Sequence, residues 1–288
     1  RPDIQLIVDS LAKVTFPPST SWIYRKIWSS HQMRETMKAF DGSKKSNSDE
    51  HIENLLQTHL SKYQIAPLDV LKLYPVLARR QWLKRIFAHI ELFKMTLEVP
   101  GDIAELGVFR GLGLMTWANL LEAYCIGDRT KTVWGFDNWK GFTGFSASDG
   151  LENEHAHKVL GGFNPSQFFD ELKDAIAIFD EDRFIPQKPR VKLVNGQIEE
   201  TVFRFIDENP GVRFSLIHFD CDLYAPTRTA LEALWPKVCK GGVLLFDEYS
   251  IPDWPGETKA VDEFLERKKD LKLRTFSWTN APAAYLVK

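Results

Sequence analysis

Apolar residues follow two different rhythms along this chain of 288 residues. Up to about Glu98 they recur at helical spacing. Gln5 to Val14 is one such stretch, and Val70 to Leu97 reads as a long helix with one apolar face and a basic face formed by Arg79, Arg80, Lys84 and Arg85. Pro75 predicts a break near the start of that helix. Between the two stretches, Asp41 to Glu50 contains no apolar residue and is expected to be a flexible surface loop. Residues 1–98 are thus expected to form a helical N-terminal extension, serving as an oligomer contact or a cover over substrate.

From Pro100 onward, apolar strands alternate with helices. Strands are predicted at Ile103 to Leu106, Thr132 to Phe136, Val191 to Val194, Phe214 to Phe219, Val243 to Phe246, Leu271 to Phe276 and Ala283 to Val287. Helices are predicted at Leu112 to Ala123, Pro165 to Phe179, Ile198 to Asn209, Pro226 to Trp235 and Thr258 to Lys268. This alternation, with strands apolar on both faces, predicts an α/β domain over 99–288 built on a doubly wound, mostly parallel, seven-stranded sheet. In such sheets ligands bind at the carboxyl ends of the strands. The long polar stretch from Gly141 to Asn164, with Asp149, Glu152, Glu154, His155 and His157, reads as a lid or a mobile loop.

Two kinds of chemistry fall at that edge. The first is a glycine turn, Glu105 to Gly113 (ELGVFRGLG), linking the first strand to its helix. Gly107, Gly111 and Gly113 let backbone approach a ligand closely, but their GxxxGxG spacing differs from the GxGxxG of dinucleotide folds. Glu105 precedes the turn. Asp137 ends the second strand, where an acid commonly accepts hydrogen bonds from ribose hydroxyls; an N-cap or turn role is the plainer alternative. Gln197 lies on the same rim and either pairs with an adenine edge or closes a turn.

The second is a pair of acidic clusters, Asp220-Cys221-Asp222 after FSLIHF and Asp247-Glu248 after GVLLF. Carboxylates gathered at one sheet edge repel one another and lose hydration, so they need a cation or a shared proton. Asp220, Asp247 and Glu248 offer oxygen alone, which suits Mg²⁺ or Ca²⁺ over zinc. A cation there would lower the pKa of a substrate hydroxyl, and Asp222, two positions beyond Asp220, would take its proton. The competing reading has Asp220 and Asp222 capping the helix near Pro226 or binding Arg228. His218 reads as a satisfied core residue, and His155 and His157 as solvated loop residues. Trp139, Tyr224, Tyr249 and Trp254 lie near the same rim, suited to stacking on a sugar or aglycone or to ordinary core packing.

Bulk properties narrow the partners. A formal charge of −2 with scattered basic residues disfavours nucleic acid and anionic membrane surfaces. Three cysteines, none in a CxxC arrangement, suggest neither a disulfide framework nor a zinc knuckle; with no signal-peptide pattern, they predict a cytoplasmic protein.

Taken together, ELGVFRG, FDNWKGF, DCDLYAPT, GGVLLFDEY and PGETKAVDEF, in this order, resemble the macrocin O-methyltransferase family, which acts on sugars of macrolides, aminocoumarins and related natural products. The resemblance spans roughly Leu92 to Val287. It implies an S-adenosylmethionine-dependent and Mg²⁺-dependent transferase with a Rossmann-like class I methyltransferase sheet, a small glycosylated acceptor and a homo-oligomeric state. On the matching positions, Glu105, Gly107, Gly111, Asp137, Gln197 and Asp220 would border the cofactor. Asp220, Asp247 and Glu248 would ligate the metal, and Asp222 would be the general base. Family members often carry two aspartates where this chain has Asp247-Glu248, so its second ligand reaches one methylene further. Three rivals stand beside this reading: a methyltransferase for catechol-like phenols, a nucleotide-sugar glycosyltransferase using Asp220 to Asp222 as its DxD, and a catalytically silent scaffold.

Overall fold

The computed structural model describes residues 47–150 and 157–288. The chain divides into two compact units, Arg1–Glu50 and His51–Lys288, and the second contains the sheet and the site. The predicted helix at Gln5 to Val14 lies outside the described residues, as do Glu152, Glu154 and His155.

Among the described residues, four helices precede the sheet: α1 (Asn47–Lys62), α2 (Pro67–Lys72), α3 (Tyr74–Leu77) and α4 (Arg80–Lys94). Two expectations are corrected here. Asn47 to Glu50, read as part of a loop, opens α1, and Asp49 and Glu50 in its first turn suit the positive end of a helix dipole. The helix expected over Val70 to Leu97, with one break near Pro75, is three. Pro75 sits in the first turn of α3, where its missing N–H is no loss, and the second break comes at Ala78 and Arg79, whose backbone is extended.

The strands are β1 (Asp102–Leu106), β2 (Val133–Asp137), β3 (Val191–Asn195), β4 (Phe214–Phe219), β5 (Val238–Phe246) and β6 (Ala284–Val287). They form one sheet in the order β3-β2-β1-β4-β5-β6. All neighbours are parallel except β6, which runs antiparallel to β5. Six strands replace the seven expected. In Leu271 to Phe276 only Arg274 pairs, exchanging two 2.8 Å backbone bonds with Tyr285, before a turn takes the chain away from the edge.

Between and after the strands lie α5 (Leu112–Tyr124), α6 (Phe169–Asp182), α7 (Ile198–Glu208), α8 (Tyr224–Leu234) and α9 (Pro255–Glu266). Side chains alternate across the strands and so feed two cores. Leu106, Phe136, Ile217, Phe219 and Phe246 pack with Phe205, Leu231 and Phe264 from α7, α8 and α9. Ile103, Val133, Leu216 and Leu245 pack with Leu92, Trp117 and Leu172 from α4, α5 and α6. All six residues of β4 are buried, as expected of a central strand covered on both faces. The chain turns from the β1-β2-β3 half to the β4-β5 half at β1, which makes the β1/β4 seam the switch point where ligands bind. No helix among the described residues is long and apolar enough to cross a membrane.

Candidate active site

The glycine turn leaves β1 directly into α5. Gly107 has φ +89, and a Cβ there would stand 1.9 Å from the backbone oxygen of Asp220, so the turn rests against the end of β4 with no room for a side chain. Gly111, also with positive φ, occupies the N-cap of α5 without a side-chain cap. Asp137 holds the turn from the neighbouring strand: Oδ2 accepts the N–H groups of Val108 at 2.9 Å and Phe109 at 3.0 Å, and Oδ1 accepts that of Trp139 at 2.8 Å. Below the turn, Glu105 is buried, its Oε2 has no hydrogen-bond partner, and burial pushes its carboxyl up to about 7. Gln197 precedes α7; its amide donates to Thr143 Oγ1 at 2.7 Å and accepts from Asn138 at 3.4 Å.

The acidic rim follows β4 and β5. Asp220, Asp222 and Glu248 each bring an oxygen within 4.8 Å of the others. Asp222 does so in the left-handed region, with φ +61. Between them, Cys221 turns away and packs its Sγ 3.4 Å from Thr227 Oγ1. Asp247 falls outside this trio and belongs to a second group with His89 and His218. His218 Nε2 lies 2.9 Å from Asp247 Oδ1, and His218 Nδ1 lies 3.5 Å from Glu105 Oε1. Arg85 Nη2, from α4, contacts both Asp220 Oδ2 and Asp247 Oδ2 at 2.5 Å.

These contacts divide the acids electrostatically. Burial opposes the charge on Asp247, but Arg85 and His218 outweigh it and hold the carboxyl well below the usual range. Burial would likewise lower His218, yet Asp247 and Glu105 hold it up at about 10. Asp222 goes the other way: burial, then Asp220 and Asp247, push it up to about 8. Burial also raises Glu248 and its neighbour Glu257, whose Oε1 accepts the Glu248 N–H at 2.8 Å. Asp222 and Glu248 therefore favour their protonated forms, and Glu248 Oε2 is buried without a hydrogen-bond partner. An oxygen-only set with an orphaned acceptor fits a hard divalent cation in exchange for those protons.

The rest of the rim is well tethered. Asp149 is buried and accepts from Ser146 N and Oγ and, across the loop, from Tyr224 N at the start of α8. The described part of the expected lid is thus docked on the helix that follows Asp222. His157 stacks on Phe163 at 4.7 Å. Trp139 packs on Phe169, Trp254 lies among Phe142 and Phe163, and the hydroxyls of Tyr224 and Tyr249 donate to Glu263 and Asp262.

The family model described as macrocin-O-methyltransferase (TylF) matches residues 69–279 of this chain. The chain belongs to that family. Among its relatives, mycinamicin III 3''-O-methyltransferase of Micromonospora griseorubida is 28% identical over 173 residues, 59% of this chain and 62% of that protein. A tetracenomycin rhamnosyl 4'-O-methyltransferase of Streptomyces olivaceus is 30% identical over 157 residues, 53% of this chain and 54% of that protein. The matches thus span less than two thirds of either curated relative. Among solved structures, the calicheamicin methyltransferase CalS11 superposes with a TM-score of 0.78 at 31% identity, covering 85% of this chain and 94% of CalS11. Its apo structure is described as a TDP-rhamnose 3'-O-methyltransferase.

Against this macrocin O-methyltransferase frame, sequence reasoning missed three buried or half-buried polar residues. Arg85 counted only as part of a basic face, yet it reaches the acidic rim. His89, four positions on, is buried against Trp117, its ring nitrogens unpartnered. The signal was available: Arg85 and His89 share a helix face with Ala88 and Leu92, so two polar residues interrupt a buried stripe. Glu257 stood inside PGETKAVDEF without an assigned role.

Proposed function

We propose that this chain transfers a methyl group from S-adenosylmethionine to a sugar hydroxyl, on a glycosylated natural product or a nucleotide sugar, with Mg²⁺ held at the acidic rim. The observation carrying this reading is the direct packing of the glycine turn, at Gly107, against Asp220 of the oxygen-rich rim. A donor bound at the one lies beside an acceptor bound at the other. The sugar substrates in the names of the curated relatives and of CalS11 support the acceptor class.

On this reading Gly107 and Gly111 leave room for the donor, while Glu105 and Asp137 border it. Asp137 keeps unused acceptor capacity for a ribose hydroxyl beside its backbone bonds. Gln197 would face the adenine side of the cleft, and Asp220 would stand between donor and cation. Asp220 and Glu248 are the residues proposed to hold Mg²⁺, with the third carboxylate coming from Asp247 in the adjoining group or from Asp222 in the cluster; when bound, the ion would orient the acceptor hydroxyl and lower its pKa. Asp222 removes the hydroxyl proton as the oxygen–carbon bond forms and the carbon–sulfur bond breaks, leaving S-adenosylhomocysteine. Holding the reacting atoms in line supplies much of the acceleration. The three free cysteines suit a reducing cytoplasm, and exposed Leu68, Leu71 and Val76 on α2 and α3 suit a homo-oligomer.

Calorimetric titration with S-adenosylhomocysteine, with and without Mg²⁺, tests the donor. Saturable binding supports the reading and leads to an acceptor screen comparing nucleotide sugars, finished glycosides and catechols. Absence of binding in both conditions overturns it.

A further inference from the structure

We propose that Arg85 is a tethered cation that competes with the divalent ion for Asp220 and Asp247, so that metal loading and the seating of α4 are linked. The inference rests on the cation reading given under Proposed function, and deepens it.

Three observations carry it. Arg85 lies 135 positions before Asp220, yet its single Nη2 bridges both carboxylates at 2.5 Å. An arginine serving as a permanent brace normally presents its two-pronged fork to one carboxylate. Here one nitrogen serves two partners, Nε is buried with no hydrogen-bond partner, and the side chain remains 27% exposed. The third observation concerns the helix itself. Ala88, His89, Leu92 and Phe93 bury the C-terminal half of α4, whereas Trp82 and Phe87 in its N-terminal half are exposed and the chain before it is extended. Arg85 therefore pins the less anchored half of α4 to the rim. A divalent ion that draws on Asp220 or Asp247 takes oxygens from the guanidinium and repels it. Whichever third carboxylate completes the ion's set, Asp220 is shared, and the competition holds.

The test uses the full chain and Mn²⁺ as the probe, with free Mn²⁺ quantified by electron paramagnetic resonance. Arg85→Gln should bind Mn²⁺ about tenfold more tightly than wild type, because one fixed positive charge has left the site. Arg85→Lys, which keeps the charge, should stay within about threefold of wild type. In wild type, Mn²⁺ should speed backbone hydrogen exchange over residues 81–87. Equal or weaker binding by Arg85→Gln overturns the inference, as does exchange unchanged by Mn²⁺ if that variant does not fold. No saturable Mn²⁺ binding in any form overturns the cation reading itself, and this inference with it.

Discussion

Gly107 and Asp220 meet backbone to backbone: a Cβ on Gly107 would stand 1.9 Å from the Asp220 carbonyl oxygen, at a φ of +89 that side chains rarely adopt. The glycine turn and the acidic rim are thus one mechanical unit. Gly107→Ala should destabilise the protein by about 2 kcal/mol or more. It should also weaken S-adenosylhomocysteine and Mn²⁺ binding together, read by thermal melting and calorimetry. Loss of only one of the two ligands would show that turn and rim move independently.

The buried His218–Asp247 pair gives stability a specific pH dependence. His218 is held up at about 10 from an ordinary 6.5, so its contribution is complete below about 6.5 and is lost as pH rises through 10. Melting temperature should fall between pH 7 and 10 in wild type, and fall less in His218→Gln. That variant should also be about 3 kcal/mol less stable at pH 7, because Asp247 loses a buried partner. Parallel pH curves for the two proteins would contradict the assignment.

The proposed division of labour along the rim separates two substitutions. Asp222→Asn should lower turnover by roughly a hundredfold or more while leaving S-adenosylhomocysteine affinity nearly unchanged. Asp220→Asn should lose Mn²⁺ binding as well as turnover. If Asp222→Asn loses Mn²⁺ as severely as Asp220→Asn, then Asp222 is a ligand and the proton acceptor lies elsewhere; the 4.8 Å cluster of Asp220, Asp222 and Glu248 makes this a real contest.

The strands were legible because FSLIHF and GVLLF are apolar on both faces, and a strand so buried ends where polar residues begin. Asp220, Asp247 and Glu248 were legible for the same reason, as the first polar residues past those ends. Leu271 to Phe276 misled because its alternation matches a strand, while pairing there stops after Arg274. Arg85 was not legible as a site residue because its partners lie more than a hundred positions away, and sequence spacing carries no information about which helix a sheet edge will face. The separation of Asp247 from the trio was hidden likewise: it depends on His218 and Arg85, which reach it through space.

Asp149 offers a test away from the chemistry. Its carboxylate satisfies Ser146 and the first N–H of α8 at Tyr224, two residues past Asp222. Asp149→Ala leaves part-buried donors unpaired and should cost about 1–3 kcal/mol of stability. Turnover should fall further than stability accounts for, as the segment bearing Asp222 loses its hold, with kinetics measured well below the melting temperature. Turnover that tracks the folded fraction alone would make Asp149 a purely structural cap.

The seam between β1 and β4 acts as a ruler. After a register shift between Asp102 and Ile103, the parallel pairing runs without a break from Ile103 to Leu106, Glu105 with His218 and Leu106 with Phe219, and neighbouring strands stand about 4.8 Å apart wherever such ladders form. The offset between the turn leaving one strand and the acids leaving the next is therefore set by main-chain bonding. Residues in the loops around the rim can vary without altering that offset, because the paired main chains alone set it.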